Sequence, residues 1–477
     1  MKISWLLASS GMTVVTVSRY RMAAYMPSPL MKIEIAACYH LTELSEKRRR
    51  FIEKGLTLVN PKYQEALRQG RYVGNIPKEI RLFERLPEGL SVPRGISLEW
   101  LAPDECSDLR HLHPVVLPAS IQLRPYQERA VDEARAAGGG LMVAPTGAGK
   151  TTMALVLAHR LGQRTLVLVR SLDLAHQWQE AVQRFTGLSC GIIGGGKWKE
   201  GNEITVALIQ TLVRHDTSLD YGMLIVDEAH NTPALQAYTV INRQAARYRY
   251  GLSATPQRRD RLEALIHASI GPVVTEITAA ETGESVLPVK VTVVGYPCTA
   301  EVEGWGAFLQ WLAEEPGRNA MIAQSAIRAA STRGTVILTS TIAHAEVLYE
   351  LVMAMGHACL LLHGQLPRAD RLERMALAPE SSLIISTLSL LSEGIDLPHV
   401  GALIFAAPVS ADIAGRESPA ATRLIQSIGR TRRPYPGKTV AHVMDIVDHH
   451  PLGVSAYRKR LEVYRRLGFA VHESQPV

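Results

Sequence analysis

Short apolar runs alternate with stretches of helical spacing over most of this chain. Between residues 123 and 272 the runs 141–144, 165–169, 204–208, 223–226 and 250–252 are apolar at nearly every position rather than at every second one. A strand with that pattern is covered on both faces, as in a parallel sheet between helices. The pattern lapses over 273–317, where Pro272, Pro288, Pro297 and Pro316 punctuate a single strand-like run at 289–294. It resumes with runs 335–339, 358–362, 383–386, 402–406 and 439–444, separated by helical patterns such as 344–355 and 368–376. The expected fold class is α/β, with two parallel-sheet domains in tandem. Residues 31–113 are mixed in pattern, with turn signals at Asn60-Pro61, Ile76-Pro77 and Val92-Pro93, and read as a small N-terminal accessory domain. The predicted organisation is 1–30 a non-native start or disordered arm, 31–113 the accessory domain, 114–275 the first α/β domain, 276–317 a linker region, 318–450 the second α/β domain, and 451–477 a C-terminal helix and tail. Apolar residues at helical spacing among Arg458, Lys459, Arg460, Arg465 and Arg466 predict that last helix and give it a basic outer face.

Only the first of the two α/β domains carries a glycine loop. It runs Ala144-Pro145-Thr146-Gly147-Ala148-Gly149-Lys150-Thr151, between a strand-like run and the helix-like stretch 152–161. Small residues let backbone N–H groups turn inward on an anion, and the helix points its positive dipole end at the same place. Lys150 is placed to reach the β- and γ-phosphates of ATP, and Thr151 to hold Mg²⁺ through its hydroxyl. Ala144 stands where the general pattern has its first glycine. A second candidate follows the run 223–226, where Asp227-Glu228-Ala229-His230 sets two carboxylates at a strand end. Asp227 suits Mg²⁺, and Glu228 suits the orientation and deprotonation of a water attacking the γ-phosphate.

With these motifs the chain resembles superfamily 2 helicases and translocases of the DEAH type, over residues 123–433. Leu123-Arg124-Pro125-Tyr126-Gln127 is similar to the family's adenine-reading element, which implies Gln127 as the base contact. Gly251-Leu252-Ser253-Ala254-Thr255-Pro256 resembles the motif that couples hydrolysis to domain movement through Ser253 and Thr255, and the His230 of the acidic motif joins that coupling set. The stretch 385–396 resembles the second-domain motif in which Thr387 meets a backbone phosphate and Gly394 and Asp396 approach the nucleotide. Gln426-Ser427-Ile428-Gly429-Arg430-Thr431-Arg432-Arg433 resembles the arginine-finger motif, with Gln426, Arg430 and Arg433 serving the reaction. The resemblance implies two RecA-like domains, with the cofactors ATP and Mg²⁺. Arg170 to Trp178 and the Tyr-Gln form of the adenine element look most like the XPB and UvsW branch and the motor subunits of restriction enzymes, which act on DNA. Backbone grips at Arg170, Gln210, Thr211, Thr341 and Thr387 would turn domain closure into stepping. Each of these residues taken singly also reads as a polar cap at a strand end. The expected function is an ATP-dependent DNA helicase or translocase, with an RNA helicase or a nucleotide-gated DNA clamp as alternatives.

Composition changes this picture little. The chain has 477 residues, 47% hydrophobic and 20% charged, with a formal charge of +7, a modest excess that suits an anionic partner. The basic run 47–50 fits either a solvated helix end or a nucleic-acid contact. Five scattered cysteines show no paired spacing, so a reducing, cytoplasmic setting is expected. His111/His113 and His449/His450 sit beside proline with no cysteine or acidic cluster in sequence to complete a metal shell. No apolar run reaches the roughly 18 residues of a membrane span. The fairly apolar stretch 3–17 is diluted by Ser9, Ser10, Gly11 and Thr13, and Met26 or Met31 is the expected true start.

Overall fold

The computed structural model describes residues 30–474, apart from 69, 71, 146, 229–233, 255–262, 279–280, 283–286, 389–396 and 410–418. Two compact units are present, one running to Thr278 with the loop residues 146–148 excepted, and one from Ala279 to Val477 that includes them.

The first unit begins with a mixed sheet in the order β5-β6-β2-β1-β7. Its strands are β1 (Lys32–Ile35), β2 (Cys38–Thr42), β5 (Glu84–Leu86), β6 (Gly89–Pro93) and β7 (Glu105–Asp108), and β3 (Thr57–Val59) pairs separately with β4 (Glu79–Arg81). Ile33, Leu41, Leu90 and Val92 alternate inward from these strands and close a core with Leu265 and Ala268 of the helix Glu263–Ile270. Two buried guanidiniums fasten the same junction. Arg94 donates to Ala36 O at 3.1 Å and Ala246 O at 2.7 Å. Arg249 donates to Ala37 O at 2.9 Å and Ser269 O at 2.6 Å. Burial lowers both pKa values, that of Arg249 to about 10, and the carbonyl dipoles stand in for a carboxylate. The basic run 47–50 lies in the helix Glu46–Gly55, capped by Ser45. Arg48 pairs with Asp104 at 3.3 Å and Arg50 with Glu46 at 2.9 Å, so these two charges are met within the chain.

The α/β sheet that follows has the order β11-β10-β12-β9-β13-β14-β8-β15. Its strands are β8 (Gly139–Val143), β9 (Thr165–Val169), β10 (Gly191–Gly194), β11 (Lys197–Lys199), β12 (Ile204–Leu208), β13 (Met223–Val226), β14 (Tyr248–Ser253) and β15 (Val273–Glu276). All pairs are parallel except the edge pair β10–β11. The central strands are buried along their length, as their uninterrupted apolar runs require.

The second unit carries an all-parallel sheet in the order β18-β19-β17-β20-β21-β16-β22. It comprises β16 (Val289–Tyr296), β17 (Gly334–Thr339), β18 (Leu360–Leu362), β19 (Leu383–Thr387), β20 (Val400–Phe405), β21 (Ala441–Asp448) and β22 (Ala470–Ser474). The expectation of a linker over 276–317 is corrected here. The run at 289–294 is β16, an inner strand between β21 and β22, and the helix Trp305–Glu314 follows it. Pro288 and Pro297 flank that strand, where a missing N–H costs the ladder nothing. The tail also differs from expectation, because residues after the helix Pro451–Arg466 form β22. Two bidentate ion pairs are wholly buried: Arg318 with Asp448 at 2.6 and 3.1 Å, and Arg460 with Asp445 at 2.8 and 2.8 Å. Tyr464 also donates to Asp445, at 2.8 Å. His450 caps the helix Pro451–Arg466 through Nδ1 and stacks on Phe308 at 4.6 Å, a structural use of that histidine.

Candidate nucleotide and nucleic-acid site

The strand order decides what stands together. Adjacent strands β8, β14, β13, β9 and β12 run in one direction, so the residues that follow their carboxyl ends form a row about 4.8 Å apart per strand. Along that row lie the glycine loop, Ser253, Asp227 with Glu228, Arg170, and Gln210 with Thr211. Ligands of parallel sheets bind at this edge. Ala144 N donates to Ser253 O at 3.0 Å, and Asp227 N to Leu168 O at 3.0 Å, so the ladder continues one step past the strands and fixes both turns.

The loop needs glycine at its last position for two reasons. Gly149 has φ +84°, and a Cβ there would come 2.4 Å from Gln127 Nε2. Gln127 is buried behind the loop, and its Oε1 accepts from Arg124 N at 2.9 Å, the glutamine half of a capping box at the start of the helix Pro125–Ala137. The glutamine therefore holds the entry to the helix and packs on the phosphate loop. Lys150 and Thr151 open the next helix, Lys150–Leu161, and Lys150 Nζ donates to Ala144 O at 3.0 Å.

Asp227 is the best-held acid of the row. Its Oδ2 accepts from Trp178 Nε1 at 2.8 Å, and its Oδ1 from Glu228 N at 2.9 Å. Burial and the neighbouring Glu228 carboxylate push its pKa up to about 6, against the pull of the indole N–H and of Lys150. Glu228 has φ +48°, a left-handed conformation that costs a non-glycine residue about 1 kcal/mol or more. Trp178, at the end of the family-like stretch that begins at Arg170, sets the carboxylate's orientation. It sits two turns into the helix Leu172–Thr186, which Ser171 caps directly after Arg170.

The other expected residues fall as follows. Arg170 and Thr211 are half-buried and Gln210 exposed, the last two in the first turn of the helix Ile209–His215. On the second unit Thr339 and Thr387 are register partners on β17 and β19, which brings Thr387 and Thr341 to one edge. Thr341 caps the helix Ile342–Ala354, its hydroxyl accepting from His344 N at 3.2 Å. Arg430 is in the last turn of the helix Pro419–Thr431, and Arg433 just follows it. Between them Arg432 donates to Leu287 O at 2.9 Å. Thr146, His230, Thr255, Gly394 and Asp396 lie outside the described residues, as does the side chain of Gln426.

Residues 120–258 match the model for the type III restriction enzyme res subunit, and residues 318–434 match that for the helicase conserved C-terminal domain. With two parallel-sheet domains and the glycine loop at a strand end, the chain is a superfamily 2 helicase, an ATP-dependent enzyme acting on nucleic acid. It is 26% identical to helicase D10 of Escherichia phage T5 over 407 residues, covering 83% of this chain and 86% of that protein. It is 36% identical over 157 residues to the DNA 3'-5' translocase XPB2 of Sulfurisphaera tokodaii, covering 32% of this chain and 35% of that one, so it spans about a third of that relative's length. Among solved structures it resembles S. cerevisiae Dbp5 bound to RNA and ADP BeF3, with a TM-score of 0.53, 20% identity, and coverage of 75% of this chain and 90% of that one. That likeness concerns fold alone.

Proposed function

We propose that the chain is a DNA helicase or translocase that spends ATP to move along or remodel DNA. The observation that carries the reading is the row at the carboxyl edge of the first sheet, where a phosphate loop, a fixed aspartate and a strained glutamate sit beside polar strand ends. The likeness to a DNA translocase over 157 residues supports DNA as the substrate.

In this mechanism Lys150 and the loop N–H groups bind the phosphates, and Gln127 supports the loop on the base side. Thr151 and Asp227 offer hard oxygen donors, and the raised pKa of Asp227 marks a buried negative charge that a divalent cation would offset, so the pair fits Mg²⁺. Bound there, Mg²⁺ would neutralise charge on the phosphate oxygens. Glu228 orients the attacking water and takes its proton. Ser253, one strand away from Asp227, passes the change in the acid's surroundings to the backbone. Arg430 and Arg433 supply positive charge to the transition state. Arg170, Gln210, Thr211, Thr341 and Thr387 contact the sugar-phosphate backbone, which predicts steep salt dependence and little sequence preference.

The test compares ATPase rates on single-stranded DNA, duplex DNA, forked DNA and RNA. Stimulation by DNA with displacement of a strand or a bound roadblock is expected. Stimulation by RNA alone would move the substrate to RNA, and turnover on DNA without displacement would make the protein a clamp.

A further inference from the structure

The extended segment leaving β7 carries His111-Leu112-His113, and alternate residues of an extended chain share a face. Backbone hydrogen bonds pin the segment. His111 N donates to Ala245 O at 2.8 Å, Arg247 N to His111 O at 2.9 Å, and Arg164 N to His113 O at 2.7 Å. His113 N also donates to Gln163 Oε1 at 2.7 Å. These partners lead into β9 and β14, so both imidazoles stand at the amino ends of the strands, on the edge opposite the glycine loop. Asp220 reaches them from the turn before β13. His111 Nδ1 lies 2.6 Å and His113 Nε2 2.7 Å from the same oxygen, Asp220 Oδ1.

We propose that His111, His113 and Asp220 form a divalent transition-metal site, best suited to zinc, that staples the segment joining the N-terminal sheet to the amino ends of β9, β13 and β14. Two imidazoles and one carboxylate are the donor set of a three-ligand zinc centre with water in the fourth position, and the part-exposed side chains leave room for that water. Tetrahedral ligand bonds of about 2.0 to 2.2 Å set N···O separations of about 3.3 to 3.5 Å, so each imidazole must draw back from Asp220 by roughly 0.6 to 0.9 Å, within the reach of side-chain rotation. The part-exposed Asp220 carboxylate faces both imidazoles. Arg164 does not claim it. That guanidinium donates to Asp220's backbone carbonyl at 3.2 Å, while its charge is met by Glu200 at 3.1 Å and by the Tyr221 ring at 4.4 Å. Sequence spacing hid the acid, because Asp220 joins the histidines only through the sheet.

The full-length protein, stripped of metal with a chelator, is titrated with Zn²⁺ alone. One equivalent should bind, and Tm should rise with the logarithm of free zinc. His113→Gln and Asp220→Asn should each weaken binding at least about tenfold and abolish the Tm rise, while nucleic-acid-stimulated ATPase without zinc stays unchanged. Loaded with Co²⁺, the wild type should give ligand-field bands without a thiolate charge-transfer band, a measurement that stands even where a variant fails to fold. No stoichiometric uptake, uptake unchanged in both variants, or a thiolate band would each overturn the site.

Discussion

Asp227 follows the last residue of β13, and Asp448 is the last residue of β21, so each unit buries a carboxylate at the carboxyl end of a parallel strand. Their surroundings differ. Asp448 and its neighbour Asp445 are closed off by arginines in bidentate pairs, every oxygen engaged, with no exposure on either side. Among the described residues Asp227 accepts only neutral N–H donors, and the like charge beside it is Glu228. A closed pair is electrostatically finished and can only hold helices to a sheet. An aspartate oriented by an indole and left short of positive charge keeps its affinity for a cation that arrives with a ligand. The same residue type at the same kind of position is thus a rivet in one unit and, in the proposed mechanism, a holder for a cation in the other.

The largest test of that contrast lies beyond the rivets. Arg433→Ala should lower nucleic-acid-stimulated kcat by about 10³- to 10⁵-fold while ATP still binds, because a finger acts on transition-state charge. Normal turnover in the variant would leave the second unit with structural arginines only. Next, Glu228→Gln should cost about 10²- to 10⁴-fold in kcat and keep ATP affinity. Asp227→Asn should also stop turnover yet change stability by less than about 1 kcal/mol, since removing a buried charge offsets the loss of one accepted hydrogen bond. A large drop in Tm for Asp227→Asn would make that residue a rivet too.

Stability should respond in the opposite place. Arg460→Ala strands Asp445 and should cost about 3 to 5 kcal/mol, much of it recovered by the double replacement Arg460→Met with Asp445→Leu. Denaturant melts of the three proteins check this, and a mild single-variant effect would show the pair to be dispensable.

The smallest effect concerns pH. His344 is buried on the second unit beside Asn319 Oδ1, at 3.0 Å, and burial with Arg318 nearby lowers its pKa to about 3. The unfolded chain takes that proton near pH 6.5 and the folded unit does not, so acid favours unfolding. Between pH 6.5 and 5 this should remove on the order of 2 kcal/mol. Asp227 works the other way, because its raised pKa lets the folded first unit gain a proton before the unfolded chain does. Calorimetry across that window should find His344→Gln flatter than wild type, and an unchanged slope would count against the histidine.

Much of the α/β framework was legible because β9, β12 and β13 are buried on both faces and so read as unbroken apolar runs, ending where the sequence predicts. The edge strand β11 was not, since Lys197, Trp198 and Lys199 are all exposed and leave no apolar trace. The N-terminal sheet was hidden by strands of three to five residues, of which β1 and β2 bury alternate positions and the edge strands β5 and β7 bury none. At the site, Lys150 and Asp227 could be read from local chemistry. The Trp178 hydrogen bond and the meeting of Asp220 with two histidines could not, because both depend on which strands become neighbours.

Arg249 bears on how this protein can be altered or could have been assembled. It is a residue of β14, in the ATPase sheet, yet it reaches Ala37 between the first two strands of the N-terminal sheet. Arg94 makes the reverse crossing to Ala246. The N-terminal domain is therefore not a cassette. Transplanting it to another motor would cost Arg94 its Ala246 acceptor, and deleting it would cost Arg249 its Ala37 acceptor and uncover the apolar face around Leu265 and Ala268. The two folds form one inheritable module, and recombination within it would have to bring matching residues from both sides of the junction.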